Sequence, residues 1–136
     1  MKKNIILLTI SLLFTAVLTL SSCRSLPEIP TDLTQAQLIQ KGQNAFSAGD
    51  YKLAEHYYQT SIQRYGNNTE NYIESKYELG HLYIKTKDYD KAQEAFEEIL
   101  ELYEYAAIGD LPASYKKLAE IGMSKIPSKK ESQKQD

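Results

Sequence analysis

One segment of this chain occurs twice, and this repetition limits the available folds more than any other feature. Residues 46–58 align without gaps with residues 84–96, so that Asp50 takes the place of Asp88. The alignment extends back to Gly42, which matches Gly80, 38 positions later in the sequence. A period of this size is typical of proteins built by stacking copies of one small unit. The sequence therefore predicts repeated helical hairpins.

Apolar residues at steps of three and four predict two amphipathic helices in each copy. Gly49 is placed to end one helix and Asp50 to cap the next, so each pair forms an antiparallel hairpin. A further helix with the same spacing follows the second copy and should cap the stack. The predicted fold is all-α, two helical hairpins plus a C-terminal capping helix, with helices at about 34–47, 51–65, 70–86, 89–105 and 112–126.

Polar residues ahead of these helices predict where they begin. Thr34 with Gln37, and Asn67 with Glu70, fit the capping box, in which two side chains each accept a hydrogen bond from a backbone N–H group. Asp88 should cap the fourth helix as Asp50 caps the second. These caps predict four separate helices in the two copies.

The composition excludes several classes of function. A formal net charge of −2 gives no basic face for nucleic acid. Cys23 is the only cysteine, so neither an intrachain disulfide nor a Cys/His zinc cluster can form. His56 and His81 belong to different repeats and should be surface residues, and the six glycines are too dispersed to cradle a phosphate. The sequence predicts a protein without catalytic residues, metal or cofactor.

The two ends of the chain differ from the repeats. Lys2 and Lys3 precede an apolar stretch that ends in small residues, which predicts a secretory signal over residues 1–22. An uncleaved membrane anchor is the alternative. Prolines favour an extended tether over residues 23–33, and the polar residues 127–136 should form a disordered tail. A repeat domain over residues 34–126 remains between them.

Leu20-Ser21-Ser22-Cys23 resembles the lipobox of bacterial lipoproteins. The resemblance implies that Cys23 is acylated and becomes the first residue of the mature protein. Two or three acyl chains anchor a protein stably to a membrane that it does not span. Arg24 stands where an aspartate would favour retention at the inner membrane, which implies the outer membrane with the domain in the periplasm. Inner-membrane anchoring stays open.

The hairpins resemble tetratricopeptide repeats (TPRs) over residues 34–126. In the first copy Lys41 departs from the leucine of the family pattern, and Ala45 departs from its tyrosine. The resemblance implies a non-enzymatic solenoid that binds other proteins, with small residues that let paired helices approach closely. The residues that carry it are Gly42, Gly49, Asp50, Tyr51, Ala54, Tyr58 and Ser61 in the first copy and Leu79, Gly80, Tyr83, Asp88, Tyr89, Ala92 and Phe96 in the second.

TPR domains bind partners on a concave face lined by the first helix of each repeat. Apolar and polar groups mixed on such a face suit an extended peptide or a helix lying in a groove. The positions that the resemblance assigns to this face are Ile39, Gln43, Phe46, Ser47, Glu74, Tyr77, His81, Ile84 and Lys85.

The long period and the Tyr65-Gly66-Asn67-Asn68 exit from the second helix resemble outer-membrane assembly lipoproteins of the BamD (YfiO) family. This resemblance implies a lipid-anchored scaffold that binds envelope proteins, among them a barrel-assembly complex. The alternative is a structural lipoprotein that binds the cell wall or another periplasmic complex. The identity of the partner and the oligomeric state stay open.

Overall fold

The structure is a computed structural model that describes residues 25–128. The described chain is helical, without strands, which confirms the predicted all-α class. The predicted signal peptide, the predicted acylation site Cys23 and residues 129–136 of the predicted tail lie outside the described residues. The helices are α1 (Gln35–Ser47), α2 (Tyr51–Tyr65), α3 (Thr69–Thr86), α4 (Tyr89–Tyr105) and α5 (Ala113–Ser124).

The helices form two layers. α1 packs on α2, α2 on α3, α3 on α4 and α4 on α5, as expected for hairpins stacked in sequence. α1 also contacts α3, and α3 contacts α5, whereas no Cα atoms of α2 and α4 come within 8 Å of each other. We call α1, α3 and α5 the inner layer, because they lie side by side, and α2 and α4 the outer layer. The architecture is a short α-solenoid.

Two of the predicted helix caps are present. The Thr34 hydroxyl accepts a hydrogen bond from the Gln37 N–H group at 3.3 Å, and the Gln37 side chain accepts one from the Thr34 N–H group at 2.9 Å. Asp50 accepts a hydrogen bond from the Leu53 N–H group at 3.1 Å. These caps satisfy amides that have no partner within the first turn of a helix, so α1 and α2 begin where the sequence predicts.

The other two caps differ from the prediction. α3 is capped by Asn68, whose side chain accepts from the Asn71 N–H group at 3.0 Å, so the predicted Asn67 cap is wrong by one residue. The reason is that Asn68 has the extended backbone that a cap requires. Asp88 occupies the N-cap position of α4 as predicted, but its side chain makes no capping hydrogen bond, and its carboxylate pairs with Lys91 Nζ at 2.8 Å.

The turn between α3 and α4 contains a conformation that a lysine adopts unfavourably. Lys87 has φ 62°, and Gly49, which takes the same place in the first copy, has φ 79°. A Cβ atom in the left-handed region costs about 1 to 2 kcal/mol, whereas glycine enters it freely. The second hairpin therefore closes with backbone strain that the first avoids.

We expect Lys87→Gly to raise the free energy of unfolding by about 0.5 to 1 kcal/mol, because relief of this strain exceeds the greater flexibility of glycine in the unfolded chain. Urea denaturation followed by circular dichroism measures the change. The reciprocal Gly49→Lys should lower the free energy of unfolding by a similar amount. A Lys87→Gly protein less stable than the wild type would contradict the assignment of strain.

Small residues allow the helices to approach closely around two buried rings. A Cβ atom added to Gly42 would overlap the Tyr58 ring, and one added to Gly80 would lie 2.6 Å from the Phe96 ring. Gly122 of α5 covers the same Phe96 ring. Each ring thus occupies space that is open because glycine has no side chain. In each case the glycine is on an inner-layer helix and the aromatic residue is on an outer-layer helix.

The segment before α1, predicted as an extended tether, is held against α2 by hydrogen bonds to its carbonyl groups and by burial of Ile29. The Arg64 guanidinium donates hydrogen bonds to the carbonyl groups of Pro30 at 2.6 Å and Ile29 at 2.8 Å. The Tyr65 hydroxyl donates to the Leu33 carbonyl at 2.6 Å, and Ile29 is only 6% exposed. We call residues 25–33 the strap. It docks because its carbonyl groups face donors on α2.

Candidate interaction face

Aromatic rings cross the inner layer from one helix to the next. The centroid of Phe46 on α1 lies 5.1 Å from that of His81 on α3, and Tyr77 follows at 6.4 Å. Tyr115 on α5 lies 5.8 Å from Tyr77. We call these four residues the ring row. His81 is exposed and the others are half-buried, so the row offers accessible apolar surface.

The ring row rests on the core of the domain. Tyr77 contacts the buried Phe96 ring at a centroid distance of 6.3 Å, and Phe46 contacts Tyr51 at 5.6 Å in an edge-to-face arrangement. Such pairs contribute about 0.5 to 1.5 kcal/mol beyond the burial of area alone. A partner would therefore meet rings that are already held in place.

Two carboxylates lie beside the ring row. The Gln35 side-chain amide donates to Glu74 at 2.6 Å, and that of Gln43 donates to Glu78 at 2.8 Å. Glu74 and Glu78 are one turn apart on α3, which puts them on the same side of the helix. Neutral groups from α1 thus orient both carboxylates.

The two carboxylates also act on neighbouring tyrosines. Burial together with the charge and hydrogen bonding of Glu74 raises the pKa of Tyr115 to about 12. Burial raises the pKa of Tyr58 as well, and the charge and hydrogen bonding of Glu78 raise it further. The pKa of Tyr77 is raised by burial and by the charge of Glu78. These hydroxyls stay protonated at neutral pH and remain hydrogen-bond donors.

The structure brings most of the predicted concave-face residues together. Gln43, Phe46, Glu74, Tyr77 and His81 form the ring row or support the carboxylates beside it. The remaining positions lie elsewhere: Ser47 and Lys85 are exposed near the C-terminal ends of α1 and α3, Ile84 is half-buried against the core, and Ile39 is 5% exposed within it.

The placement of Ile39 corrects the prediction that it lines the concave face. It belongs to the stripe of α1 that also contains Leu38, Gly42 and Ala45, all of which are buried against other helices. Sequence reasoning also missed Glu78 and Tyr115. Tyr115 could have been found, because it lies one repeat period of 38 residues after Tyr77.

A second concavity lies on the opposite side, where α2 and α4 diverge above α3. Its volume is about 340 Å³. Lys76 Nζ lies 2.7 Å from Glu98, which also accepts a hydrogen bond from Tyr72, and the Tyr83 hydroxyl donates to Glu55 at 2.6 Å. These polar groups satisfy one another, so the inner layer is the better candidate. The cleft is lined by Gln59, Ile62, Gln63, Tyr72, Lys76, Leu79, Tyr83, Lys91, Glu94 and Ala95.

The Glu98 cluster predicts sensitivity to acid. Burial by itself would raise the pKa of Glu98, but hydrogen bonds from Lys76 and Tyr72 and the charge of Lys76 lower it below 4.5. A carboxylate with a lowered pKa stabilises the folded state above its unfolded-state pKa, and this contribution is lost as the pH falls through the folded-state value. As the pH is lowered below about 4.5, we expect the free energy of unfolding to decrease in both proteins. The decrease should be less steep in Glu98→Gln than in the wild type.

Urea denaturation at a series of pH values measures this difference. Glu101→Gln is the matched control, because Glu101 is an exposed glutamate on the same helix and should leave the profile unchanged. Parallel pH profiles for Glu98→Gln and the wild type would show that the cluster does not favour the ionised carboxylate.

Two negative findings apply to residues 25–128 alone. Their helices are too short or too polar to cross a membrane. Histidine, cysteine and acidic side chains in this range do not gather in groups of three or more that could hold a metal ion.

Comparison with known proteins finds a family whose repeats cover the two helical hairpins. A family model described as tetratricopeptide repeat matches residues 33–104, more than half of the chain. The chain is also 34% identical over 110 residues to a protein of Treponema pallidum (strain Nichols) named "Uncharacterized protein". That match covers 79% of this chain and 44% of the relative, so the chain spans less than half of the relative's length. No solved structure matches the chain.

Proposed function

Because this chain belongs to the tetratricopeptide repeat family, we propose that it is a scaffold whose protein partner docks on the inner layer. The ring row carries the proposal. Rings from three helices contact one another in sequence, keep accessible surfaces and are seated on the core. Aromatic groups of this kind dominate the energy of many protein interfaces. The inner layer therefore has the surface that a peptide or a helix of a partner requires.

We further propose that the scaffold acts in the bacterial envelope, anchored to the periplasmic face of the outer membrane through acylated Cys23. The support is the lipobox-like Leu20-Ser21-Ser22-Cys23 and the BamD-like exit from α2. Anchoring in the inner membrane is the alternative. Since the Pro27 carbonyl already contacts His56 of α2, four residues after Cys23, an anchor at Cys23 would hold the domain within about 15 Å of the bilayer.

Photo-crosslinking in living cells tests the docking face. A photoreactive amino acid replaces His81 on the inner layer or, as the control, Glu101 on the outer layer, since both side chains are exposed. We expect a discrete covalent adduct with an envelope protein from position 81 and none from position 101. Equal adducts from both positions, or none from position 81, would contradict docking on the inner layer.

A second measurement connects the adduct to the ring row. Phe46→Ala, combined with the crosslinker at position 81, should reduce the adduct by about tenfold or more, as expected for loss of an aromatic anchor. The melting temperature of this variant is measured in parallel, so that reduced folding is not mistaken for reduced binding. An undiminished adduct would show that the ring row does not bind the partner. Adducts confined to cell-wall glycan would favour the structural lipoprotein alternative.

A further inference from the structure

Glu74 and Glu78 of the inner layer have no cationic partner in the described part of the chain, although they are half-buried and lie beside the ring row. On other surfaces Glu98 pairs with Lys76 and Asp88 with Lys91. Among residues 25–128, no lysine or arginine nitrogen lies within 4 Å of Glu74 or Glu78. Like charges one turn apart repel each other. The domain therefore keeps two neighbouring acidic groups without an internal counter-charge.

These carboxylates retain unused capacity for hydrogen bonding. An ionised carboxylate offers about four acceptor sites, whereas Glu74 accepts from Gln35 and Glu78 from Gln43. Both glutamates are only half-buried, so the remaining sites can be reached from outside. The neutral donors fix the direction of each carboxylate without neutralising it.

Tyr77 lies between the two glutamates in sequence, and its ring contacts Tyr115 on one side and His81 on the other. A cation between the carboxylates could form ion pairs with both of them and also lie against an aromatic ring. Lys85 cannot take this role from its own helix, because seven residues separate it from Glu78, about 10 Å along α3. A bound molecule could supply the cation.

We propose that the inner layer recognises a peptide segment with a central lysine or arginine, whose cation lies at Glu74 and Glu78 and whose apolar neighbours lie on the ring row. This inference rests on the proposed scaffold function and specifies the partner that it accepts. Charge complementarity selects this partner. An acidic segment would meet two like charges, and a wholly apolar one would remove water from two unpaired carboxylates.

Peptide selection tests the chemistry of the partner. The full-length protein in mild detergent is exposed to a phage-displayed library of random linear peptides. We expect the retained peptides to contain a lysine or arginine flanked by apolar residues. A fluorescein-labelled synthetic copy of a retained peptide then gives the affinity by fluorescence anisotropy, and added salt should weaken its binding.

Substitutions locate the cation. Glu74→Gln and Glu78→Gln keep the shape and one acceptor oxygen but remove the charge, and each should weaken binding by about tenfold or more. Glu101→Gln, on the exposed side of α4, should leave the affinity unchanged. Matching circular dichroism spectra and melting temperatures confirm that all three variants are folded.

The outcomes separate this inference from the proposed function. Neutral or acidic peptides whose binding is lost in His81→Ala would overturn the basic partner while leaving the docking face in place. The same holds if basic peptides bind equally well to Glu74→Gln and Glu78→Gln. Retention of no peptide, or binding that is indifferent to His81→Ala, would overturn the docking face and the inference with it.

Discussion

Replacing Phe96 with alanine is expected to lower the free energy of unfolding by about 3 to 5 kcal/mol, a large part of the total stability of a small domain. Phe96 is 1% exposed and lies between Gly80 of α3 and Gly122 of α5. The alanine variant would leave a cavity whose walls include the backbones of two helices. Such walls collapse poorly, so the loss of burial and the cost of the cavity add.

Urea denaturation followed by circular dichroism measures this loss. Tyr105→Ala is the matched control, because Tyr105 lies at the end of the same helix but is 81% exposed. Its effect should stay within about 0.5 kcal/mol. If Phe96→Ala were no less stable than the Tyr105 variant, Phe96 would not be the centre of the second hairpin.

Gly80→Ala is expected to lower the free energy of unfolding by about 1 to 3 kcal/mol through overpacking. The added Cβ atom would lie 2.6 Å from the Phe96 ring, which is enclosed and cannot move away without displacing α5. Alanine is otherwise favoured over glycine within a helix by about 1 kcal/mol. A destabilised variant would therefore show that tertiary packing overrides helix propensity at this position. Urea denaturation provides the measurement.

A double-mutant cycle isolates the contact between the two residues. In a Phe96→Leu background the ring is absent, and Gly80→Ala should cost at least about 0.5 kcal/mol less than in the wild type. An equal cost in both backgrounds would mean that the added methyl group meets something other than Phe96.

These two substitutions also bear on the candidate interaction face. Phe96 contacts Tyr77, which carries the centre of the ring row. The aromatic residue that closes the second hairpin therefore also positions the surface assigned to the partner. Binding measurements on core variants must accordingly be compared at equal folded fractions.

Much of the fold could be predicted from the sequence because the determinants are local. The bounds of α2 and α4 agree with those predicted, since Asp50 and Asp88 stand before regular helical patterns. Gly49 indicates a left-handed turn because glycine adopts that backbone conformation readily. Lys87 adopts the same conformation, but a lysine gives no indication of it. Aligning the two copies predicts the second turn from the first, although the residue type of Lys87 does not indicate a turn.

The candidate site could be predicted only in part. The TPR resemblance assigned Phe46, Tyr77 and His81 to a face, but nothing local indicated that their rings touch. It also assigned Ile39, which is buried because that stripe of α1 faces the core. The strap escaped prediction because its carbonyl groups bond to Arg64 and Tyr65, more than thirty residues away.

Within residues 25–128, the sequence by itself determined the number of helices, most of their bounds and the small residues at which they cross, because periodicity, caps and glycines act over a few neighbouring positions. Only the tertiary structure decided which apolar positions face the core and which remain accessible. Only the tertiary structure shows that Glu74 and Glu78 lie beside Tyr115 and that no lysine or arginine of the described chain pairs with them. These relations depend on how α1, α3 and α5 lie against one another, and residues that are distant along the chain meet only after the helices have stacked.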